Sequence, residues 1–264
     1  GVTEIRSISK FGLSVVTIVF EEEIGTYLPR QLIAEKIKTA TEKIPEGFGT
    51  PEMGPITTGL GEIYQYTLEV KPEFKNQYSV TDLRTIQDWV VKRQLSGIKG
   101  VVEINTWGGY LKQYEIAINP ASLKAMNIST TDVFTALEKN NSIAGGSYIE
   151  KTNQSYFIRG EGKVNSVQDI ENIVVKNDSG LPIYIKDIAK VQFGHANRFG
   201  AITGNGEGEK VLGQVMMLKG GNSKQVIEDV KHRVTEIEKT LPEGVYINGF
   251  LERSELVGKT TFTV

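Results

Sequence analysis

The strongest constraint in this sequence is an internal repeat whose second copy is interrupted. The stretch GVTEIRS at residues 1–7 recurs as GVVEINT at residues 100–106, an offset of 99 residues, and FG at 11–12 is echoed by WG at 107–108. The turn sequence PEG at residues 45–47 recurs at 242–244, where the offset has grown to 197 residues. Because the elements keep one order in both copies, we expect a domain inserted into the second copy of another. The alternative is that βαβ-type units look alike because the same physics sets helix periods and turns.

The first copy has the pattern β-β-α-β. Valine, isoleucine and threonine dominate residues 2–8 and 13–20, as is typical of strands. A helix is predicted over residues 29–44, with Pro29 in its first turn. Its apolar stripe consists of Leu28, Leu32, Ile33, Ile37, Ala40 and Ile44. A short closing strand is predicted near residues 51–56.

The second copy has the pattern β-α-β-β-α-β, the ferredoxin-like split unit. A strand at residues 63–70 precedes a helix that begins at a capping-box sequence, residues 79–82. Its expected inward residues are Leu83, Ile86, Trp89 and Val90. After the insert come a strand at 212–218, a helix capped near Ser223 and a strand at 245–250. The first copy lacks the opening strand and helix, so we expect a piece of a longer protein in which they precede Gly1.

The insert, about residues 110–209, has its own cycle of strands and short helices. Strand patterns at 146–150 and 155–159 predict a hairpin with a polar tip at residues 151–154. Residues 181–191 are predicted to form a strand. Four glycines within residues 200–208 predict the return crossing into the host domain.

Composition excludes several classes of function. The 264 residues suffice for two domains, and 39% apolar with 23% charged residues is ordinary for a globular protein. A net charge of −2 gives no electrostatic case for nucleic acid as a partner. The lack of cysteine excludes disulfides and thiolate metal sites. No catalytic triad order, phosphate loop or metal-binding histidine pair supports an enzyme, and we predict no catalytic residues.

Several local strings, taken in order, resemble one family. They are TGLGEIYQY at residues 58–66, LRTIQDW at 83–89, the pair Gly108-Gly109, DIAKV at 187–191 and ERSELV at 252–257. With the duplicated frame, they resemble the first periplasmic loop of resistance-nodulation-division efflux pumps, in the heavy-metal branch of cobalt-zinc-cadmium type. The resemblance covers essentially the whole chain.

The resemblance implies an α+β fold: two ferredoxin-like (split βαβ) porter subdomains, the first incomplete, with an α+β docking subdomain inserted in the second. The implied bounds are residues 1–57 for the first porter subdomain, 58–109 with 205–264 for the second, and 110–204 for the docking subdomain. The parent would be a proton-driven homotrimer of the inner membrane that works with a periplasmic adaptor (membrane fusion) protein and an outer-membrane channel. This chain would be its periplasmic portion, and a transmembrane helix would follow Val264.

Glu62 is the candidate metal ligand, within the glycine-flanked sequence GLGE. Zinc and cobalt accept carboxylate oxygen, and the resemblance implies acidic contacts to a transported divalent cation (zinc, cobalt or cadmium) without any resident cofactor. The alternative is a solvated loop carboxylate. Met216 and Met217 are adjacent and point to opposite faces of a strand, so they are expected as core residues. His195, His232 and the acidic run at 21–23 are expected on the surface.

The hairpin of the insert is the candidate docking element. By the resemblance, such an arm reaches a neighbouring protomer, and a two-stranded arm needs a packing partner. The predicted contact residues are Ile149, Lys151, Thr152, Asn153, Gln154, Tyr156 and Phe157. Packing of the arm on its own subdomain is the alternative, and the short predicted strands limit its reach. Beyond transport, the sequence leaves open a docking module without a metal site or a free-standing periplasmic metal-binding protein.

Overall fold

The computed structural model describes residues 1–57, 59–152, 154–178, 180–198 and 200–254. Its contacts divide the chain into two compact units, Gly1–Ile56 and Thr57–Val264. Within the described residues, no helix is both long and apolar enough to span a membrane.

The first unit is a hairpin and one helix. Strands β1 (Val2–Lys10) and β2 (Leu13–Phe20) pair in antiparallel register, and α1 spans Tyr27–Thr41. Pro29 lies in the first turn of α1, as predicted, and is buried. The predicted closing strand at residues 51–56 is wrong, because this segment forms no ladder. Pro51 and Pro55 lack the backbone N–H that a strand must donate.

The second unit carries the remaining elements. Its strands are β3 (Glu62–Val70), β4 (Val101–Trp107), β5 (Lys112–Ile118), β6 (Ser142–Lys151), β7 (Gln154–Gly162), β8 (Val174–Asp178), β9 (Leu181–Tyr184), β10 (Ala189–His195), β11 (Ile202–Thr203), β12 (Glu209–Met217) and β13 (Val245–Glu252). Its α-helices are α2 (Val80–Ile86), α3 (Lys92–Leu95), α4 (Pro120–Ala125), α5 (Thr130–Lys139), α6 (Val167–Glu171), α7 (Ile185–Ile188) and α8 (Ser223–Glu238). A π-helical turn, Gln87–Val91, joins α2 to α3.

The main sheet of this unit is antiparallel, with the order β4-β12-β3-β13 and the short β11 paired to β12. The π-helical turn, α3 and α8 contribute Val91, Leu95, Val230 and Ile237 to the core on one face of this sheet. The predicted capping box forms, because the Ser79 hydroxyl accepts a hydrogen bond from the Asp82 N–H. The sheet and its helices therefore hold one continuous apolar core.

A second core lies in the segment between β4 and β11. Its buried members are Leu123, Ile128, Val133, Ala136, Ile170, Ile173, Ile185, Ile188 and Val191. The predicted single strand at residues 181–191 is wrong: a one-turn helix, α7, separates β9 from β10. The Asp187 carboxylate caps this turn by accepting from the Tyr184 N–H, and the turn aims two isoleucines into the core.

The π-helical turn changes which residues of its helix face inward. Gln87, Val91 and Leu95 are fully buried, whereas Trp89 is 60% exposed. The prediction that Trp89 faces the core is therefore wrong. A π turn bonds residue i to i+5 and is wider than an α turn, so the side chains that follow it shift around the axis.

Candidate functional site

Glu62 is the first residue of β3 and follows a 3-10 turn, Gly59–Gly61. A Cβ on Gly61 would come within 3.0 Å of the Met217 carbonyl oxygen and closer still to Thr57, so the turn requires glycine to approach the neighbouring backbone. The Arg253 guanidinium donates to the Leu60 carbonyl oxygen and holds the other side of the turn. The sequence GLGE thus places a half-buried carboxylate at the start of β3, an inner strand of the sheet.

Strand register brings a second carboxylate into line with Glu62. Met216 on β12 pairs with Glu62 on β3 and with Glu103 on β4. Directly opposed residues share one face of a sheet, so the three side chains form a row. Two strand spacings separate the glutamate backbones by about 10 Å, and Met216 lies between them. Sequence reasoning missed Glu103, because only the register shows that it lies opposite Met216.

This row lies on the sheet face away from the helices. Val215 and Met217 belong to the core beneath the helices, whereas Met216 is buried outside that core. Met216 and Met217 therefore point to opposite faces of the sheet, as expected. A bulge between Val215 and Met216 in the pairing with β3 turns both Ile63 and Tyr64 into the core and leaves Glu62 on the outer face.

The row supplies part of a metal coordination sphere. Neither the Glu62 nor the Glu103 carboxylate makes a hydrogen bond or an ion pair within the described part of the chain. Carboxylate oxygens suit zinc and cobalt, and a protein zinc site usually has three or four protein ligands. The described residues contain no cluster of three or more acidic, histidine or cysteine side chains placed to hold a metal. The outer face therefore offers two carboxylates and one thioether.

The other sequence candidates are scattered. His195 and His232 are exposed, on β10 and α8 respectively, as expected for surface histidines. The acidic run at 21–23 is exposed around a 3-10 turn. The structure brings neither histidine toward Glu62 in a metal-binding group among the residues it describes.

The predicted hairpin forms from β6 and β7, with strands of ten and nine residues that are longer than predicted. Ile149 pairs with Tyr156, and Tyr148 pairs with Phe157 at a ring-centroid distance of 6.4 Å. Phe157 is 85% exposed and Ile149 is 53% exposed. Lys151, Thr152 and Gln154 form the exposed tip, and predicted Asn153 lies outside the described residues. The two strands carry an apolar surface that the described chain does not cover.

A polar cluster joins the two chain segments that connect the two cores, one between β4 and β5 and the other between β10 and β11. Sequence reasoning did not identify this cluster. Arg198 pairs with Glu209 and lies over the Tyr110 ring at 3.8 Å. Glu209 also accepts from the Gly109 N–H at 2.9 Å, and the His195 ring lies 4.5 Å from that of Tyr110. One segment contributes Tyr110 and the other Arg198, so the cluster ties them together.

Lys210, next along β12, binds a pair of carboxylates. Its ammonium lies 2.6 Å from Glu69 and 2.8 Å from Glu207. Burial opposes the charged ammonium, but the hydrogen bonds that it donates to Glu207 and Glu69 outweigh burial and raise the pKa of Lys210. The same ammonium lowers the pKa of Glu207.

Comparison with known proteins identifies the class. The model of the AcrB/AcrD/AcrF family matches residues 1–264. The chain belongs to this family. The match covers both units and the row of Glu62, Met216 and Glu103.

The relatives specify the branch. The chain is 45% identical over 268 residues to the cobalt-zinc-cadmium resistance protein CzcA of Cupriavidus metallidurans and 45% identical over 261 residues to protein HelA of Legionella pneumophila. These alignments cover 100% and 98% of this chain but 25% of each relative, so the chain spans about a quarter of their length. A crystal structure of a heavy metal efflux pump superimposes with a TM-score of 0.88 at 31% identity, covering 100% of this chain and 26% of that one. The predicted resemblance to the heavy-metal branch is confirmed.

Proposed function

We propose that this chain forms a wall of the cation path in the periplasmic part of a proton-driven heavy-metal efflux transporter. The single observation that carries the proposal is the row of Glu62, Met216 and Glu103 on one sheet face, within a family whose similar members are named for cation efflux and metal resistance. Zinc, cobalt or cadmium would be the transported substrate, and the two carboxylates would be transient ligands that require further ligands from elsewhere in the parent.

The proposed subdomains follow the two cores of the second unit. Its sheet order, β4-β12-β3-β13, places the strands in the order 2-3-1-4 of a split βαβ unit, which supports a ferredoxin-like porter subdomain at 58–109 with 205–264. The other core supports a docking subdomain at 110–204. Residues 1–57 would be the incomplete porter subdomain. We further propose an inner-membrane homotrimer with an adaptor protein and an outer-membrane channel as partners.

The metal role is tested in the full-length pump. Glu62→Gln and Glu103→Gln each remove one carboxylate charge while keeping the shape, so each should lower zinc or cobalt resistance at unchanged protein level. Glu228→Gln on the exposed side of α8 is the matched control and should leave resistance intact. Full resistance in the Glu62→Gln/Glu103→Gln double variant would remove the row from the cation path.

A second candidate function is docking, favoured by the uncovered apolar hairpin. Phe157 and Tyr156 lie on opposite faces of the hairpin, so a neighbouring protomer would contact the hairpin on both faces and exclude water there. Phe157→Ser or shortening of the tip over residues 151–154 should weaken the full-length trimer. Phe134→Ser is the control, since Phe134 is similarly exposed on α5, at 66%. A trimer of unchanged stability in detergent would count against this function.

A free-standing metal-binding protein is the remaining alternative. Two carboxylates and a thioether are a weak set for zinc, so calorimetric titration of this chain should show little heat at micromolar zinc. Tight binding that Glu62→Gln abolishes would favour this alternative over a porter wall.

A further inference from the structure

A shallow cleft of about 470 Å³ lies beside β4, and its lining does not include Glu62, Met216 or Glu103. One wall is formed by the π-helical turn and α3, which contribute Trp89, Lys92 and Arg93. The other wall is formed by β4, which contributes Asn105 and Thr106, and Leu111 completes the lining. The cleft therefore runs along a strand edge and is bordered by an aromatic ring and two cations.

The cleft carries a surplus of positive charge in a chain whose net charge is −2. Its lining includes one carboxylate, Asp88, which Arg84 neutralises at 2.7 Å. Arg84 also donates to the Gly108 carbonyl oxygen at 2.8 Å. Lys92 and Arg93 have no carboxylate partner within the described residues, so two cations remain uncompensated.

The π-helical turn explains why these side chains meet at the cleft. Arg93 stacks on the Trp89 ring, and Lys92 lines the same cleft. Because the turn shifts the helix face, the indole of Trp89 is 60% exposed. The Arg93 guanidinium lies 4.1 Å from the centre of that ring, and a guanidinium stacked on an aromatic face can still donate through the N–H groups at its rim.

The strand wall offers backbone hydrogen bonds. Among the described residues, only β12 pairs with β4, so the opposite edge of β4 is open. In an antiparallel ladder, alternate residues direct their N–H and C=O groups away from the existing partner. An extended peptide can add to such an edge, as in strand-addition complexes.

We infer that this cleft docks an extended acidic segment of another protein, which adds as a strand to β4 and presents carboxylates to Lys92 and Arg93. Carboxylates on alternate residues would face the helix wall, since side chains alternate along a strand. An acidic segment fits the surplus charge, and the exposed indole supplies apolar contact.

Trp89 gives the test its readout. The chain has two tryptophans, so Trp107→Phe leaves Trp89 as the sole indole. The probes are synthetic peptides of four Glu-Thr repeats, four Lys-Thr repeats and four Glu-Pro repeats, and phosphatidylglycerol vesicles. We expect the Glu-Thr peptide to shift Trp89 emission to the blue with saturation. The Lys-Thr peptide has the wrong charge, and the Glu-Pro peptide keeps the charge but loses alternate N–H donors.

Lys92→Gln/Arg93→Gln should weaken binding of the Glu-Thr peptide about tenfold, because two exposed ion pairs contribute about 0.5–1 kcal/mol each. Lys224→Gln/Lys239→Gln removes two exposed cations of α8 and its C-cap and should leave binding unchanged. Equal binding of the Glu-Pro peptide would overturn strand addition. No saturable shift with the Glu-Thr peptide, or vesicle binding that requires Lys92 and Arg93, would overturn the proposal itself.

Discussion

The two copies of the repeat place nearly the same strand in two different environments. Ile5 on β1 and Ile104 on β4 are equivalent in the repeat, yet Ile5 is 64% exposed and Ile104 is 1% exposed. Every residue of β1 is exposed, and β2 is its sole strand partner among the described residues. In contrast, β4 lies beside β12 in a sheet whose helices cover one face.

The difference teaches that a strand pattern selects a face but does not bury it. Burial of apolar area is the main favourable term in folding, and it requires partner elements on that face. The second copy has those partners within the described chain, and the first unit has one helix whose Leu28 and Leu32 remain about half exposed. The apolar stripe predicted for that helix is thus only partly used.

The largest expected contrast is in the paired isoleucines. Ile104→Ala should lower the free energy of unfolding of the second unit by about 2–5 kcal/mol, because it leaves a cavity in a packed core. Ile5→Ala should leave the same transition unchanged within about 0.5 kcal/mol. Urea unfolding followed by tryptophan fluorescence reports on the second unit, since Trp89 and Trp107 both lie there. Equal losses for the two variants would contradict the comparison.

A pair of glycines with the same φ angle, Gly12 and Gly108, provides the next comparison. Gly12 and Gly108 both have φ of +74°. A Cβ on Gly12 meets no atom within 4 Å, whereas one on Gly108 would clash with the Lys210 carbonyl oxygen. Gly12→Ala should lower the free energy of unfolding by about 1–2 kcal/mol, the strain of placing alanine in the left-handed region. Gly108→Ala should lower it by about 1–3 kcal/mol more, because the Lys210 backbone must also move. Thermal unfolding followed by circular dichroism and fluorescence would separate the two.

The next contrast is between a buried tyrosine hydroxyl in the second unit and an exposed one in the first. The Tyr66 hydroxyl donates to Gln87 at 3.0 Å, and both residues are fully buried. Tyr66→Phe should cost about 1–3 kcal/mol, because it leaves the amide oxygen unsatisfied. Tyr27→Phe, at a position 73% exposed, is the control and should be neutral. A Tyr66→Phe/Gln87→Leu variant that is less stable than either single variant would argue against this cause.

The same pair has a pH signature. Burial raises the pKa of the Tyr66 hydroxyl above its ordinary value of 10.0. The folded state therefore resists ionisation more than the unfolded state, so the associated stability is present below pH 10.0 and declines as pH rises above it. Stability measured from pH 9 to 11 should fall less steeply in Tyr66→Phe.

The smallest expected contrast is at the helix starts. Ser79 caps α2 through a capping box, whereas Thr26 makes no side-chain cap at α1. Ser79→Ala should cost about 0.5–2 kcal/mol and Thr26→Ala little. The hydrogen bond from the Ser79 hydroxyl lowers the pKa of Asp82 below 3.8, so the cap stabilises above that pH and loses its contribution as pH falls below it. The difference in urea midpoint between wild type and Ser79→Ala should therefore be smaller at pH 3 than at pH 5.

Local signals predicted much of the fold. The strand predicted at 63–70 forms as Glu62–Val70, and the helix predicted near Ser223 begins there with Asn222 as its cap. The errors arose where the local signal was overridden. A π turn moved Trp89 outward, and a one-turn helix interrupted the strand predicted at 181–191. Of the proposed metal row, Glu62 was predicted and Glu103 was not, because strand register is a long-range property.

By itself the sequence determined most of the elements and their capping, and it predicted an insertion, because turn chemistry, caps and side-chain alternation act between residues close in the chain. Only the tertiary structure decided which copy of the repeat is buried, which carboxylates share a face and which aromatic ring borders the β4 edge. These depend on pairing between segments far apart in sequence, where burial and strand register, rather than local preference, set the energy.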